Sequence, residues 1–363
     1  MMNKIIFIKI NTQKMILFCV FSLISISLIA SDDDNNGDGR TGEAGASELL
    51  INPWAQSSGM SGANTASIRG LESVFLNVAG LAGIEGTELI FSHASWFADI
   101  SINAFGFGQK IGDTGVLALS VMSLDFGDIE RTTYENPDGG IGTYSPQFMN
   151  IALSYAKNFT YSMSAGFTIK MISENAAELS ANGIAIDAGV HYQTGKNGQA
   201  KFGITLKNIG PRMSFEGDGD DITLTGPNGS DMTVELRSSA FELPSLLNIG
   251  GSYDFYVNDS SGNNMLRITC SETFVSNSFS KDQFLTGLEF SWKEMFSLRG
   301  GYSYESGILD DFDDGRTTVF TGFSGGLSIE LPISDDTIFG FDYSYRPADP
   351  LNSVHTFGAR ILL

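Results

Sequence analysis

The stretch Leu247-Asn248-Ile249-Gly250-Gly251-Ser252-Tyr253-Asp254-Phe255-Tyr256-Val257 puts Leu247, Ile249, Tyr253, Phe255 and Val257 on one face and Asn248, Gly250, Ser252, Asp254 and Tyr256 on the other. A period of two residues is the signature of a strand with two different environments. The same pattern recurs where Ile184, Ile186, Ala188, Val190 and Tyr192 interleave with Ala185, Asp187, Gly189, His191 and Gln193, and where Phe339, Phe341, Tyr343 and Tyr345 oppose Ile338, Gly340, Asp342 and Ser344. In a soluble sandwich the apolar face points inward and is mainly aliphatic. Here the polar face holds Gly, Ser, Ala and isolated charges, while the apolar face ends repeatedly in Tyr or Phe, as expected where strands meet lipid and an aromatic girdle.

Working outward, residues 87–363 read as about fourteen such segments, most near the roughly 9 to 11 residues that a transmembrane strand needs. The gaps between them alternate in length. Starting from a first strand at 87–93, the long connections include 127–147, 174–181, 210–245 and 306–316. The tight ones are 111–113, 158–161, 194–199, 258–264, 293–295 and 332–336. Successive connections of an antiparallel barrel lie on opposite sides of the membrane, and outer-membrane barrels have short periplasmic turns and longer outer loops. The expected fold is therefore all-β: a transmembrane antiparallel β-barrel of about fourteen strands in the outer membrane of a Gram-negative bacterium, with long loops extracellular and the N-terminus periplasmic.

Composition agrees with a wall solvated by lipid, since 27 Phe accompany only 17% charged residues. Residues 1–30 read as a secretory signal, with Lys4, Lys9 and Lys14 ahead of an apolar run that ends at Ala30. Its removal takes away three lysines and no acid, so the net charge of −21 becomes −24. That balance argues against nucleic acid as a partner. Cys19 leaves with the signal, and Cys270 then stands alone, so no intramolecular disulfide forms. Acid concentrates in the long loops, at Asp218, Asp220, Asp221, Asp310, Asp311, Asp313 and Asp314, where solvation and resistance to aggregation account for it.

Residues 31–86 lack sustained alternation. The segment opens on an acidic N-terminus and continues through Glu48-Leu49-Leu50-Ile51-Asn52-Pro53-Trp54, Gly59-Met60-Ser61-Gly62-Ala63 and Leu76-Asn77-Val78-Ala79-Gly80-Leu81. Ahead of a barrel, its Gly, Ala and apolar content reads as a luminal plug. The plug motif residues are Gly59, Met60, Gly62, Asn77, Ala79, Gly80 and Leu81. The chain divides into a signal peptide (1–30), an acidic N-terminus with plug (31–86) and the barrel (87–363).

Ala44-Gly45-Ala46-Ser47-Glu48-Leu49-Leu50, the 59–63 turn, Asn77-Val78-Ala79-Gly80-Leu81, Ser92-His93-Ala94-Ser95-Trp96-Phe97-Ala98-Asp99-Ile100, Leu124-Asp125-Phe126-Gly127-Asp128-Ile129 and Asn208-Ile209-Gly210-Pro211 together resemble the PorV/PorQ family of type IX secretion outer-membrane proteins. That family is similar in turn to the fourteen-stranded long-chain fatty-acid transporter barrels. The chain departs from the family pattern where Val78 replaces a proline of fixed φ and Ser61 replaces a glycine. The resemblance implies a non-enzymatic shuttle or accessory that receives secreted cargo from a translocon, through the cargo's C-terminal domain, and passes it to surface sortase components. The outer loops would make those contacts, and no cofactor is implied. The alternative is a fatty-acid-transporter-like channel for uptake of hydrophobic small molecules, which requires apolar side chains converging near the plug. The inward face reads as polar, with Asp99, Asp187, His191, Asp254 and Glu289 as luminal candidates.

Two further motifs carry less. Asp32, Asp34, Asn36 and Glu43 fit the spacing of a calcium-binding EF-hand loop, but Gly39 occupies its apolar position and no entering helix survives signal cleavage, so an acidic tail is the plainer reading. Gly322-Phe323-Ser324-Gly325-Gly326 matches a nucleophile elbow, which needs a strand-to-helix turn. It falls within a strand pattern, so barrel packing explains it and no enzyme is expected. His93, Trp96 and Asp99 form a dense polar and aromatic group, which an interfacial Trp and a loop His account for.

Overall fold

The computed structural model describes residues 40, 42–134, 136–217, 221–235, 238–258, 264–311 and 316–363. The signal peptide, Asp32, Asp34, Asn36, Asp218, Asp220, Asp313 and Asp314 lie outside the described residues. In chain order the strands are β1 (Thr87–Ser95), β2 (Ser101–Ile111), β3 (Gly115–Asp125), β4 (Ile129–Glu130), β5 (Thr143–Tyr144), β6 (Gln147–Thr160), β7 (Met163–Ala176), β8 (Leu179–Thr194) and β9 (Ala200–Ile209). There follow β10 (Asp221–Thr225), β11 (Asp231–Glu235), β12 (Leu246–Asn258), β13 (Asn264–Asn277), β14 (Gln283–Trp292), β15 (Phe296–Glu305), β16 (Phe323–Pro332), β17 (Ile338–Arg346) and β18 (Val354–Leu362).

β4 with β5 and β10 with β11 make two small hairpins inside the connections 126–146 and 210–245. The other fourteen strands close into one antiparallel barrel of neighbours, as the alternation predicts. Closure is made by β1 on β18, from Glu88 opposite Leu362 to Ser95 opposite His355. Hydrocarbon offers no partner for an unpaired strand edge, so this last ladder is what allows the sheet to stand in lipid.

Side-chain alternation sets the two faces. Phe91, Phe105, Leu119, Leu153, Ile169, Ile186, Ile204 and Leu298 stand exposed on the outer surface, a pattern that in water would mark an aggregating protein and here marks a lipid-facing wall. Ile90, Ala104, Ala118, Ala152 and Ala185, on the same strands, are buried on the inner side. Gly322 precedes β16 and Phe323 to Gly326 lie within it, so the elbow-like motif is wall.

One end of the barrel has the turns 112–114, 161–162, 195–199, 293–295 and 333–337. The other carries 126–146, 210–245 and 306–322. One expected long connection is not there. The 174–181 segment is a tight hairpin, with Asn175 opposite Ser180, Ala176 opposite Leu179 and Ala177 at φ 54°. The run Glu174-Asn175-Ala176-Ala177-Glu178 reads as loop because its inward residues are small or acidic. Glu174 is buried against Glu48 of the plug, while Ala177 and Glu178 are exposed at the hairpin tip.

The N-terminus itself lies outside the described residues, and the described plug segment runs between the two mouths. β1 starts at the short-turn end, where Thr87 N–H donates to Leu363 O at 2.9 Å. The first described residues sit at the opposite mouth, where Ala44 bridges Glu242 of the 210–245 connection in parallel.

Ile204 on the outer face provides a test of the wall. Ile204→Lys places a charge in lipid and is expected to destabilise the barrel by about 2–4 kcal/mol if its depth is near the midplane, read as a lowered denaturant midpoint in liposomes. Lys at Asn197, in the exposed 195–199 turn, is expected to leave that midpoint far less changed.

Candidate functional site

Residues 47–86 fill the lumen with short turns rather than one long element: a 3₁₀ turn at Ser47–Leu50, helical turns at Ala55–Ser58 and Ser73–Leu76, and a 3₁₀ helix at Val78–Gly83. Asn77 organises the last of these. Its Oδ1 accepts from Ala79 N–H at 3.2 Å, capping the turn, while its Nδ2 donates to Thr65 O and Val190 O, each at 3.2 Å. The cap serves where the resembling family has a proline one residue later, so Val78 is tolerated at the first helical position. Ala79 is fully buried and its carbonyl accepts from Ser164 Oγ at 3.1 Å. Leu81 is fully buried with Trp54, Leu71, Val74 and Val78.

The wall is shaped to admit this backbone. A Cβ on Gly189 would run into Asn77 Oδ1, and one on Gly301 into the backbone of Met60. Gly59 meets Gly326 the same way, since a Cβ on Gly59 would lie 2.9 Å from Gly326 Cα. Ser61 takes φ 53° and Gly62 φ 77°. The strained Ser61 conformation is tied down by its hydroxyl, which donates to Ser324 Oγ at 2.8 Å. Of the motif residues, Gly59, Met60, Asn77 and Ala79 contact the wall, while Gly80 packs within the plug against Ile68 and Ser73.

Four of the luminal polar candidates are engaged. Asp187 pairs with Lys170 at 2.5 Å and accepts from Asn208 N–H at 2.8 Å. Asp254 pairs with Lys201 at 2.6 Å and accepts from Thr269 Oγ1 at 2.8 Å. Glu289 holds Arg299 at 2.6 Å and Arg267 at 3.1 Å. The Nε2 of His191 lies 2.7 Å from Thr65 O, so that nitrogen carries the proton. Asp99 is exposed in the β1–β2 connection at φ 61°, outside the lumen. His93 bonds Asn103 and Trp96 packs on Phe97 and Phe320, so His93, Trp96 and Asp99 do not converge. Glu43 is paired with Arg40 at 3.0 Å.

Two contacts on the plug were not legible in the acids alone. Glu72, buried, accepts from Gln56 N–H at 3.2 Å and Ser57 N–H at 3.1 Å, and Gln56 passes the connection on to Asp342 at 2.9 Å. Glu48 of the plug faces Glu174 of β7, both buried, with Glu48 Oε1 and Oε2 and Glu174 Oε1 lacking a donor. Burial first, and the neighbouring Glu174 second, push the Glu48 carboxyl up to about 8.

Between plug and wall lies a small apolar pocket lined by Leu49, Pro53, Trp54, Val74, Phe75 and Met122, with Ser120, Asn150, Ala152 and Lys170 completing it. It was not singled out from sequence, because its parts come from three segments of plug and three strands; Pro53-Trp54 was the one visible signal. Lys207, fully buried, holds its Nζ 3.7 Å from the ring centroid of Phe75, a cation–π contact at the pocket's edge. On the other side of the Val78–Gly83 turn, a wider recess of about 760 Å³ opens among the short turns, lined by Arg69, Ala79, Ile84, Lys110, Tyr161 and Gln193 among others.

No protein-family model matches the chain, and the search of curated proteins returned no match. Solved structures do match in fold. The "CymD monoaromatic hydrocarbon channel" aligns at a TM-score of 0.53 and 14% identity, covering 86% of this chain and 96% of that one. The Pseudomonas putida toluene transporter TodX aligns at 0.54 and 11% identity, covering 86% and 97%. The chain shares the fold of these outer-membrane transport barrels.

Two outcomes test the site. Gly189→Ala is expected to displace Asn77 and loosen the plug, seen as raised ion conductance through the barrel in planar bilayers. Glu48→Gln is expected to raise thermal stability at pH 8. A carboxyl whose value is raised by folding weakens the fold progressively as pH climbs from its ordinary value near 4.5 toward about 8. The gain should therefore shrink to nothing below pH 4.5, as melting curves across that range will show.

Proposed function

We propose that this chain is an outer-membrane channel for uptake of hydrophobic small molecules, oriented with the long loops outward and the short turns in the periplasm. The apolar pocket supports the reading: Leu49, Trp54, Val74, Phe75 and Met122 converge on the long-loop side of the plug around a space of about 50 Å³, which movement of the plug must widen to admit a ligand. An apolar site with few polar groups at its edge favours ligands that water solvates poorly. The fold likeness to channels whose names specify monoaromatic hydrocarbons and toluene supports the same class. Ligand would enter past the loops, rest on the plug and leave through the recess beside the Val78–Gly83 turn.

The secretion-shuttle reading rests on motifs that this fold uses for plug docking. Gly59, Met60 and Asn77 meet the wall at Gly326, Gly301 and Gly189, which supports a plugged barrel, while Gly80 packs within the plug on Ile68 and Ser73. The fold likeness to named channels and a transporter favours a non-enzymatic role.

Uptake of radiolabelled toluene and oleate by cells expressing the chain tests the proposal. Accumulation above that of cells lacking the barrel is expected for at least one probe, and Phe75→Asp with Met122→Glu is expected to abolish it while the folded barrel persists in the membrane. Background uptake of both probes by cells with intact barrel would sink the reading. If instead removal of residues 226–230 blocked surface attachment of secreted cargo, the shuttle would be favoured.

A further inference from the structure

Residues 40–49 are held at the long-loop mouth by contacts that differ in kind from those of the deeper plug. Gly45 N–H donates to Glu242 O, and Glu242 N–H donates to Glu43 O, each at 3.0 Å, which makes a short parallel bridge to the 210–245 connection. Arg40 reaches Glu242 at 2.5 Å and Glu43 at 3.0 Å, and its guanidinium stands 4.3 Å from the ring centroid of Phe279, in the connection after β13. Arg212 takes the other oxygen of Glu242 at 2.5 Å. The Phe241 ring occupies the space over Gly45, where a Cβ would collide with it. Beneath, Ala46 and Leu49 pack with Ile172, Ala181, Ala185, Met213 and Leu243. Leu49 also lines the apolar pocket.

The far end of the same segment is fixed equally well. Gly86 O accepts from Lys110 N–H at 2.9 Å beside the 112–114 turn, and Thr87 pairs with Leu363. Residues 40–86 therefore run through the lumen from one mouth to the other.

We propose that Arg40 and residues 42–49 are a strap threaded across the long-loop mouth, closing the apolar pocket from above through Leu49. The strap is the part of the plug most able to lift. Its charged contacts are exposed and contribute little each, and its backbone pairing is a single bridge, whereas the deeper plug is locked by Asn77, Glu72 and the wall glycines.

Sidedness tests the inference without reference to what the channel carries. Glu43→Cys, Asn228→Cys in the long connection and Asn197→Cys in a short turn are each made in the full chain. Intact cells are treated with a polyethylene-glycol maleimide too large to pass the plugged lumen, with the wild-type protein and its buried Cys270 as blank. Labelling of Glu43→Cys under the same conditions as Asn228→Cys, and opposite to Asn197→Cys, is expected. Labelling that follows Asn197→Cys, or none from either face, overturns the strap. In a second measurement, Ala44→Cys with Glu242→Cys is expected to form a disulfide on mild oxidation of the folded barrel, scored by heat-modifiable migration. Folded barrel without that crosslink contradicts the pairing.

Discussion

The hydrogen-bonded ladder between β1 and β18 is the contact on which the other features depend. A sheet can cross hydrocarbon only when no strand edge is left unpaired, and once the ring is closed every side chain has one of two fates. Phe105, Ile186 and Ile204 meet lipid, while their sequence neighbours meet the lumen. Closure thus turns a period of two in the sequence into an inside and an outside. It also creates a lumen that residues 47–86 fill.

What fills the lumen is governed by two kinds of contact. Lys170 with Asp187, Lys201 with Asp254 and Arg299 with Glu289 are buried pairs. Their carboxylates also accept from Asn208 and Thr269 or hold a second Arg at Glu289. Satisfied pairs of this kind fix geometry more than they add stability, and they leave little charge free to grip a ligand. The apolar pocket lies where the plug contributes Leu49, Trp54 and Phe75 instead. Lys207 is the exception among the buried cations, since its described partner is the Phe75 ring rather than a carboxylate.

Much of the wall was legible from sequence because lipid on one face and plug or water on the other impose strict alternation. The legibility failed where the inward partner was unusual. Residues 174–181 read as a loop because Glu174 and Ala181 face Glu48 and Leu49 of the plug, and a buried acid beside small residues carries no strand signal. Asp99 read as luminal by parity, but the chain turns out at φ 51° and 61° for Ala98 and Asp99, which breaks the count. The plug motifs were visible as Gly- and Ala-rich punctuation around Asn77, yet their purpose lay in glycines more than a hundred residues away in the wall. The pocket was the least legible feature, because it exists only after six separated segments are brought together.

The central claim is that a plugged barrel presents an apolar site on the long-loop side of its plug. Methyl NMR of the protein in lipid nanodiscs, with ¹³C-labelled methionine and toluene as titrant, tests it most directly, since Met122 lines the pocket and Met149 and Met171 face lipid. Saturable shifts of the Met122 methyl, at toluene levels that leave Met149 and Met171 unmoved, are the predicted result. Shifts confined to Met149 and Met171, with Met122 unchanged, would contradict it.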